Sequence, residues 1–310
     1  MSNPVSSKYA WSWLLLLAVA CGSAPSSGPQ APASQPAAAA PAPAPAVEAT
    51  AEPITLRLAT FNIQVLGPAK SSRPEILEAL AEIIRTYDVV AVQEIKDISG
   101  EAPVRLLSAV NASPNDPVFA MALSPRTGLQ PDDRRSQEQY AYFYRTDRLR
   151  TLDEGTLYDD STHDHFQREP YLSRFEFVGS DVSFVLVNVH TRPRSALAEI
   201  AAMEQVFTWA KAFYEDEEVF IALGDFNAGC GYASEEDLDA LPIHGEAYDW
   251  VVPHSADTNL AASACPYDRI VIAAPEGNDL VQDWGVHRAF EDTAISDHWP
   301  VWVDLRWSPP

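Results

Sequence analysis

The sequence is poor in cations, in cysteine and in long apolar runs. Its 310 residues include 21 lysines and arginines against 44 acidic residues, so the formal net charge is -23. A surface this acidic repels phosphate polyanions at long range, which argues against a protein that holds nucleic acid tightly through a basic face. Turnover of such a polymer is not excluded, because divalent cations can neutralise both an acidic site and its substrate. The charge therefore predicts that any activity on phosphates depends strongly on metal concentration.

The one pronounced apolar run near the amino terminus covers residues 14–20 and follows a segment whose single basic residue is Lys8. This run is far shorter than the roughly 20 residues that span a bilayer, but it suits the core of a signal peptide. We therefore predict that residues 1–20 are a signal peptide and that the protein is exported.

Cys21 follows this run directly and resembles the acylated cysteine of a bacterial lipoprotein. The lipoprotein pattern prefers leucine three places before the cysteine, whereas this chain has Ala18 there and Leu17 one step further away. Acylation of Cys21, with anchoring to a membrane, is one expectation, and an ordinary secretory signal cleaved nearby is the other. The predicted location is the cell envelope in the first case and the exterior in the second.

The next segment, residues 21–53, is dominated by alanine, proline, serine and glutamine. Such a composition offers no apolar core and favours extended polyproline geometry, so we predict a tether without a fold of its own. Residues 54–310 then form one large domain.

Only two cysteines lie in that domain, Cys230 and Cys265. Two cysteines in an oxidising compartment can pair, and closing this loop would stabilise the fold by about 3 to 4 kcal/mol in the chain-entropy model. Two unpaired buried thiols are the alternative.

Short apolar runs and helical periodicity follow one another along the domain. Mixed hairpin and helical connections predict the α/β class, with two stacked mixed β-sheets flanked by helices in a four-layer sandwich. The predicted strands are residues 54–61, 88–92, 140–144, 173–178, 182–189, 219–223, 268–273 and 300–305, and the predicted amphipathic helices are residues 73–87 and 195–214.

Polar side chains follow or precede many of these strands. The tetrad Gly224-Asp225-Phe226-Asn227 ends the apolar run 219–223, and its Asp and Asn, two residues apart on an extended backbone, point the same way. A capping or solvated residue is the simpler interpretation of any one such position. Taken together, the polar residues at these strand ends would place carboxylates, amides and two histidines around one phosphate. The other members of the set are Asn62, Glu94, Asn188, His190, Asp268, Asp297 and His298.

Six ordered blocks in residues 55–306 resemble the endonuclease/exonuclease/phosphatase superfamily. The blocks are residues 58–63, 92–95, 189–190, 224–227, 267–271 and 296–301. Further stretches at residues 138–140, 166–170, 225–230, 255–258 and 265–269 resemble the deoxyribonuclease I family within it. The long-range disulfide of that family corresponds to Cys230 and Cys265, which supports their pairing.

The resemblance implies in-line hydrolysis of a phosphodiester and a role for each polar residue. The implied ligands of a catalytic Mg²⁺ or Mn²⁺ are Asn62, Glu94 and Asp297, the implied proton-transfer pairs are His190 with Glu138 and His298 with Asp268, and the implied water and phosphate contacts are Asp225, Asn227 and Arg168.

Two structural Ca²⁺ sites are implied by the same resemblance, and an acidic surface loop is the alternative interpretation of each. Asp160, Asp164, the Phe166 carbonyl and Glu169 correspond to the first site, while Asp257, Asn259 and Ser263 correspond to the second, where Ala261 replaces an oxygen ligand.

These observations together predict an exported, monomeric, metal-dependent endonuclease that cuts DNA without sequence preference. Gln64, Lys96 and Ser136 stand where the family has two arginines and a tyrosine, so we expect a weaker grip on duplex DNA. The alternatives are a phospholipase C acting on sphingomyelin or a phosphoinositide phosphatase of the same superfamily, and a non-catalytic surface binding protein on this fold.

Overall fold

A computed structural model describes Gly28 and residues 52–129, 136–276 and 279–307. The predicted signal peptide, Cys21 and nearly all of the predicted tether lie outside the described residues, so all three stay predictions. Within the described ranges, no helix combines the length and the apolar character that crossing a membrane requires.

The described part of the chain forms thirteen strands and five α-helices. The strands are β1 (Ile54–Leu66), β2 (Val89–Ile95), β3 (Phe119–Leu123), β4 (Gln139–Arg145), β5 (Leu149–Thr151), β6 (Thr156–Leu157), β7 (Tyr171–Phe177), β8 (Ser183–His190), β9 (Phe220–Asp225), β10 (Asp249–Trp250), β11 (Asp268–Ala273), β12 (Val281–Val286) and β13 (Val301–Trp307). The helices are α1 (Pro68–Ser71), α2 (Pro74–Arg85), α3 (Glu101–Val110), α4 (Ala196–Phe213) and α5 (Glu235–Asp239).

The strands form two sheets of mixed direction. The first has the order β12-β13-β1-β2-β4-β3, and the second has the order β10-β11-β9-β8-β7-β5, with β6 paired to β7. The pairs β1–β2 and β8–β9 are parallel, while β1–β13, β2–β4 and β9–β11 are antiparallel. The predicted α/β class with two mixed sheets is confirmed.

Three apolar clusters hold these layers together. Successive side chains of a strand face opposite sides, so β1 sends Leu58 into a cluster shared with Leu223 of the other sheet, and Ala59 into a cluster shared with α2 and α3. The third cluster joins Val187 of β8 to Phe207 of α4. Helices thus cover one face of each sheet, and the two remaining faces meet at the centre of the sandwich.

The sequence pattern missed several elements that lack a clear period. Strand β12 contains Asp283 and Gly285, lies at the edge of its sheet and is only partly buried, so it shows no apolar alternation. Helix α3 starts after Gly100, whose φ of 74° is left-handed, and it carries Pro103 in its first turn. Such a helix is short and has weak intrinsic propensity, which hides it from a search for apolar periodicity.

Cys230 and Cys265 form a disulfide in which the Cα atoms lie 5.7 Å apart. Cys230 follows the Gly224-Asp225-Phe226-Asn227 tetrad, and Cys265 precedes Asp268 at the start of β11. The predicted pairing is therefore present, and it ties together the two segments that deliver Asp225 and Asp268.

Removing this disulfide is expected to destabilise the domain without changing its fold. The bridge joins residues 35 apart, and a loop of that length accounts for about 3 to 4 kcal/mol of stability in the chain-entropy model. The double variant Cys230→Ser/Cys265→Ser should melt about 8 to 12 °C lower in calorimetry. A reductant should lower the melting temperature of the wild type but not that of the double variant. Equal melting of wild type and variant would contradict the prediction.

Candidate active site

Three neighbouring strands of the second sheet each bring one polar residue to the same edge, where β8 and β9 end and β11 begins. His190 of β8 pairs in register with Asp225 of β9, which pairs in register with Asp268 of β11. Because adjacent strands lie about 4.8 Å apart, this register alone places Asp225 between His190 and Asp268 and within reach of both. All three are less than a tenth exposed.

Asn62 and Glu94 of the first sheet form the facing wall. The Asn62 amide nitrogen donates to Glu94 Oε1 at 3.2 Å and to Asp225 Oδ2 at 3.0 Å, so it links the two sheets. The Ser296 hydroxyl donates to the Asn62 carbonyl at 2.6 Å and accepts from the His298 N–H at 3.0 Å. These bonds hold the segment that precedes β13 against the end of β1.

Two histidine–carboxylate pairs converge on Asp225. His190 Nδ1 lies 2.8 Å from Glu138 Oε1, and His298 Nδ1 lies 2.8 Å from Asp268 Oδ2. The free Nε2 atoms of the two rings lie 3.5 Å and 3.7 Å, respectively, from Asp225 Oδ2. Each pair therefore fixes its ring through Nδ1 and presents Nε2 to the same place, which suits proton transfer at one reacting group.

The carboxylates hold a proton on His298. Burial alone would lower the pKa of His298, but the charges of Asp268 and Asp225 and the hydrogen bond to Asp268 raise it to about 10. Burial also holds the pKa of Asp268 above its ordinary value, although the charge on His298 opposes this rise. We place the shared proton on the imidazole, because Asp225 also faces that ring and favours its charged form.

Glu94 stays ionised despite its burial. Burial raises the pKa of Glu94, but the charges of His190 and Lys96 outweigh it and bring the pKa to about 2. The pKa of Glu138 is also lowered, because His190 and Arg168 outweigh complete burial. The site thus keeps the partly exposed Glu94 and the fully buried Glu138 ionised at neutral pH.

The donor set of this site fits a hard divalent cation. Asn62 and Glu94 lie side by side, with the Asn62 amide nitrogen 3.2 Å from Glu94 Oε1 and with Asn62 Oδ1 accepting from the Gln64 N–H at 3.0 Å. Amide and carboxylate oxygens are the ligand types that Mg²⁺ and Mn²⁺ prefer. Asp297 lies close enough for its charge to raise the pKa of His298. Asp225, Asp268 and His298 also offer ligand atoms within 4.8 Å of one another, and Asp268 Oδ1 is buried without a hydrogen-bond partner. The predicted ligands Asn62, Glu94 and Asp297 are therefore consistent with the structure and remain a proposal.

Asn227 and Arg168 are held by the loop that follows His190. Asn227 has a φ of 47°, and its amide nitrogen donates to the Thr191 carbonyl at 3.1 Å. Arg168 is 5% exposed, and its Nε and Nη2 donate to the carbonyls of His190 and Thr191 at 3.0 and 2.9 Å. These contacts give Arg168 a positioning role for His190. Neutralisation of phosphate charge by Arg168, which the resemblance implies, stays a prediction.

A buried polar network joins the sheets beneath the site, and it contains Asn188, which the sequence pattern groups with the residues around the phosphate. Gln93 Nε2 donates to Asn188 Oδ1 at 2.7 Å, and the Asn188 amide nitrogen donates to the Val92 and Ala141 carbonyls. Gln93 and Asn188 are fully buried. Gln93 was missed, because the adjacent Glu94 is the more obvious site residue at the end of the same apolar run.

Lys70 is a second residue that the sequence reasoning missed. Between Asn62 and Leu66, β1 bulges away from β2, and Gln64 and Val65 have φ values of 44° and 55°. The bulge lets the Val65 N–H donate to Glu94 Oε2 at 3.0 Å. Lys70 Nζ donates to the carbonyls of Ile63 and Gln64 at 2.6 and 2.9 Å, so it holds this strained segment from α1.

Lys70→Met is expected to weaken Mg²⁺ binding by about tenfold, because removing groups that support metal ligands typically costs 10- to 100-fold in affinity. Isothermal titration with Mg²⁺ measures the change, and Lys70→Arg should recover part of the affinity by restoring donors. The matched control is Lys211→Ala on the exposed face of α4. An unchanged dissociation constant in Lys70→Met would remove the positioning role.

The first predicted Ca²⁺ site contains a carboxylate suited to a cation. Asp160 is 6% exposed, its Oδ2 accepts from the Phe166 N–H at 2.7 Å, and its Oδ1 is buried without a hydrogen-bond partner. Burial raises the pKa of this carboxyl. Asp164 belongs to the same turn and has a φ of 52°, whereas Glu169 accepts from the Thr127 hydroxyl. The structure thus brings Asp160, Asp164 and Phe166 together, with Glu169 bonded to a neighbouring segment.

Ca²⁺ is expected to raise the melting temperature through Asp160. A ligand at 100 times its dissociation constant adds about 2.7 kcal/mol, which corresponds to about 5 to 10 °C for a domain of this size. Asp160→Asn should lose this rise in melts with Ca²⁺ and with chelator, whereas Asp257→Asn should keep it. Identical curves for wild type in Ca²⁺ and in chelator would contradict the prediction.

The second predicted Ca²⁺ site has protein partners for two of its oxygens. Asp257 Oδ2 lies 3.2 Å from Arg288 Nη2, and Asn259 Oδ1 accepts from the Ala261 N–H at 2.7 Å. The Ser263 carbonyl accepts from Asn259 Nδ2 at 3.2 Å. Asp257 Oδ1 is buried without a hydrogen-bond partner, but the guanidinium already supplies a positive charge there. The second Ca²⁺ site therefore stays a prediction, with the Arg288 guanidinium as a competing positive charge beside Asp257.

Comparison with known proteins agrees with this arrangement. A model of the endonuclease/exonuclease/phosphatase family matches residues 59–298. The chain is 32% identical over 269 residues to a protein of Gallus gallus named Deoxyribonuclease-1, covering 81% of this chain and 93% of that protein. It is 33% identical over 272 residues to the Mus musculus protein of the same name, covering 81% and 92%. The crystal structure of an endonuclease/exonuclease/phosphatase from Bacteroides vulgatus superposes with a TM-score of 0.59 at 16% identity, covering 82% of this chain and 99% of that one.

Proposed function

The chain belongs to the endonuclease/exonuclease/phosphatase family, and we propose that it is a metal-dependent phosphodiesterase that cuts DNA internally without sequence preference. The observation that carries the proposal is the convergence of two histidine–carboxylate pairs on Asp225 beside the Asn62–Glu94 wall. The names of the two deoxyribonuclease relatives support DNA as the substrate.

The histidine pairs would supply both proton transfers of hydrolysis. A water attacks the phosphorus in line with the departing oxygen, so one group must accept the proton of the water and another must donate to the leaving oxygen. His190 and His298 present Nε2 at one place while Glu138 and Asp268 hold their Nδ1 atoms, so each ring keeps a defined orientation during the transfer.

Asp225 and Asn227 would orient the water and a phosphoryl oxygen. Asp225 Oδ1 accepts from the Asn227 N–H at 2.9 Å, which fixes the two side chains relative to one another. Mg²⁺ or Mn²⁺, held by Asn62 and Glu94 with support from Asp297, would stabilise the negative charge that develops on the phosphate. The acidic net charge of the chain makes this cation a requirement for substrate binding as well.

The three altered substrate positions support weak retention of duplex DNA. Lys96 Nζ lies 3.3 Å from Glu94 Oε2 and 3.8 Å from Glu138 Oε2, so its charge is shared with the site carboxylates. The Ser136 hydroxyl donates to the Gly128 carbonyl. Neither Lys96 nor Gln64 offers the planar fork of an arginine, and Ser136 offers no ring for stacking. A high KM for DNA follows.

Substrate preference is tested by offering supercoiled plasmid, a defined RNA, and vesicles containing sphingomyelin or phosphoinositides to the same protein in Mg²⁺. The proposal expects nicked circles from the plasmid, complete loss with chelator, and no release of lipid headgroups. Faster hydrolysis of a lipid than of DNA would replace the nuclease with a lipid phosphodiesterase. Binding of DNA without any product would indicate a non-catalytic protein.

Export is part of the same proposal. The disulfide between Cys230 and Cys265 is typical of proteins that mature in an oxidising compartment. Labelling cells with a fatty-acid probe distinguishes a lipoprotein from a secreted protein, since only acylation of Cys21 gives label that Cys21→Ser removes. An unlabelled mature protein would indicate that the protein is secreted without acylation of Cys21.

A further inference from the structure

We propose that Asp239, His244 and His254 form a second metal site, which takes a transition-metal cation such as Zn²⁺ and is separate from the catalytic centre. Asp239 ends α5, His244 ends the short 3₁₀ turn Pro242–His244, and His254 follows β10. None of the three belongs to the catalytic set or to the predicted Ca²⁺ sites.

The distances between their polar atoms match a tetrahedral metal site. Asp239 Oδ1 lies 3.1 Å from His254 Nε2 and 3.4 Å from His244 Nδ1, and the three ligand atoms lie within 4.8 Å of one another. Ligands about 2.0 to 2.1 Å from a tetrahedral Zn²⁺ are about 3.3 Å apart along each edge. The two distances from Asp239 Oδ1 are therefore already close to the length that the ion requires. The third distance, between His244 Nδ1 and His254 Nε2, would have to shorten by a modest approach of the two rings.

The two imidazoles are rigidly supported, and the carboxylate is open to solvent. The His244 ring stacks on Trp250 with centroids 4.3 Å apart, and Trp250 Nε1 donates to the Ile243 carbonyl at 2.7 Å. The His244 and His254 side chains are 17% and 18% exposed, while that of Asp239 is 56% exposed. Burial lowers the pKa of His244, which favours the neutral ring that a metal binds. An ion would enter from the Asp239 side, where water can complete its coordination.

A hydrogen bond from Arg269 to His254 opposes metal binding at this site. Its Nη1 and Nη2 donate to the carbonyls of Val252 and Ala228 at 2.6 and 2.7 Å, and Nη2 also lies 3.2 Å from His254 Nδ1. Accepting from arginine leaves the His254 proton on Nε2, so metal binding at Nε2 moves that proton to Nδ1. The hydrogen bond lost is the one from Arg269 to His254 Nδ1, the longest of the three, and Arg269 keeps its hydrogen bonds to the Val252 and Ala228 carbonyls. This step lowers the affinity relative to a site whose histidines donate to an acceptor.

The chemistry of the donors separates this site from the catalytic one. Two imidazole nitrogens and one carboxylate oxygen suit Zn²⁺, Co²⁺, Ni²⁺ or Cu²⁺, whereas the amide and carboxylate oxygens of Asn62 and Glu94 suit Mg²⁺. Excess Mg²⁺ therefore occupies the catalytic centre while leaving the His244–His254 site for a transition metal.

The test is a Co²⁺ titration of the full chain in excess Mg²⁺, followed by visible absorption, because four-coordinate Co²⁺ absorbs far more strongly than six-coordinate Co²⁺. We expect one strongly absorbing Co²⁺ per chain, displaced by one equivalent of Zn²⁺. His244→Ala and His254→Gln should each weaken Co²⁺ binding at least tenfold, and the second keeps an acceptor for Arg269. Asp239→Asn should do the same.

Two controls keep the result specific. Glu236→Gln, one turn earlier on α5, and His298→Ala in the catalytic centre should both retain the strong absorption, and circular dichroism verifies that each variant is folded. Absence of strong absorption in the wild type would overturn the proposal. Equal absorption in wild type and in folded His244→Ala would overturn it as well.

Discussion

Replacing either active-site histidine with alanine is expected to lower the rate of Mg²⁺-dependent plasmid nicking by about 10²- to 10⁴-fold, the range typical of a lost general acid or base. His190 and His298 each present Nε2 to Asp225 while a buried carboxylate holds Nδ1. No neighbouring histidine can replace either ring, since each is fixed by its own partner. The measurement is the initial rate of conversion of supercoiled to nicked circles at saturating Mg²⁺.

Melting temperatures at two pH values test whether His298→Ala is folded and whether the substitution has removed the ion pair between His298 and its carboxylates. Because the pKa of His298 is raised from 6.5 to about 10, its pairing stabilises the fold fully below pH 6.5 and loses that effect as pH rises towards 10. Wild type and His298→Ala should therefore differ more in melting temperature at pH 6 than at pH 10. Lys211→Ala should nick at the wild-type rate. Wild-type nicking by both histidine variants would refute the assignment of the site.

Gly224→Ala is expected to destabilise the domain by more than about 4 kcal/mol, the range reached when backbone strain and a steric clash act together. Gly224 has a φ of 153°, and a Cβ there would lie 1.8 Å from the Val189 carbonyl oxygen. That oxygen belongs to the parallel partner strand, where Val189 pairs with Gly224. The clash is with backbone, so β8 and β9 would have to separate at the end that carries His190 and Asp225.

Gly231→Ala is the matched control, because Gly231 lies in the segment that follows β9 and nothing lies within 4 Å of a Cβ at that position. Chemical denaturation followed by circular dichroism should show Gly231→Ala within about 0.5 kcal/mol of wild type. Gly224→Ala should be unfolded or recovered only as insoluble protein. A soluble Gly224→Ala with the wild-type midpoint would contradict the pairing of β8 with β9.

The elements predicted from the sequence were those with strong apolar signals. The run 219–223 and the periodic segments 73–87 and 195–214 appear as β9, α2 and α4 with small differences at their ends. The strand-end residues Asp225 and Asp268 were also predictable as neighbours, because buried strands deliver their terminal polar residues to one rim of a sheet.

Other parts of the site depend on contacts that no local pattern encodes. Lys70 supports a bulge through carbonyls six and seven residues earlier, and its position in α1 has no distinctive neighbours. The predicted contact of Arg168 with phosphate stays a prediction, whereas no local pattern indicated that its buried guanidinium also donates to the carbonyls of His190 and Thr191. The group Asp239, His244 and His254 comes together through a short helix, a 3₁₀ turn and a loop, whose relative placement follows from tertiary packing rather than from periodicity.

The most direct test of the central claim is the treatment of covalently closed circular DNA with purified wild type and with the His190→Ala/His298→Ala double variant. A closed circle has no ends, so any break in it is an internal hydrolysis of a phosphodiester. We predict nicked circles with wild type in Mg²⁺, none in chelator, and none with the double variant at the same concentration. Intact circles with wild type, or equal nicking by the folded double variant, would contradict the claim that these two histidine–carboxylate pairs cut DNA.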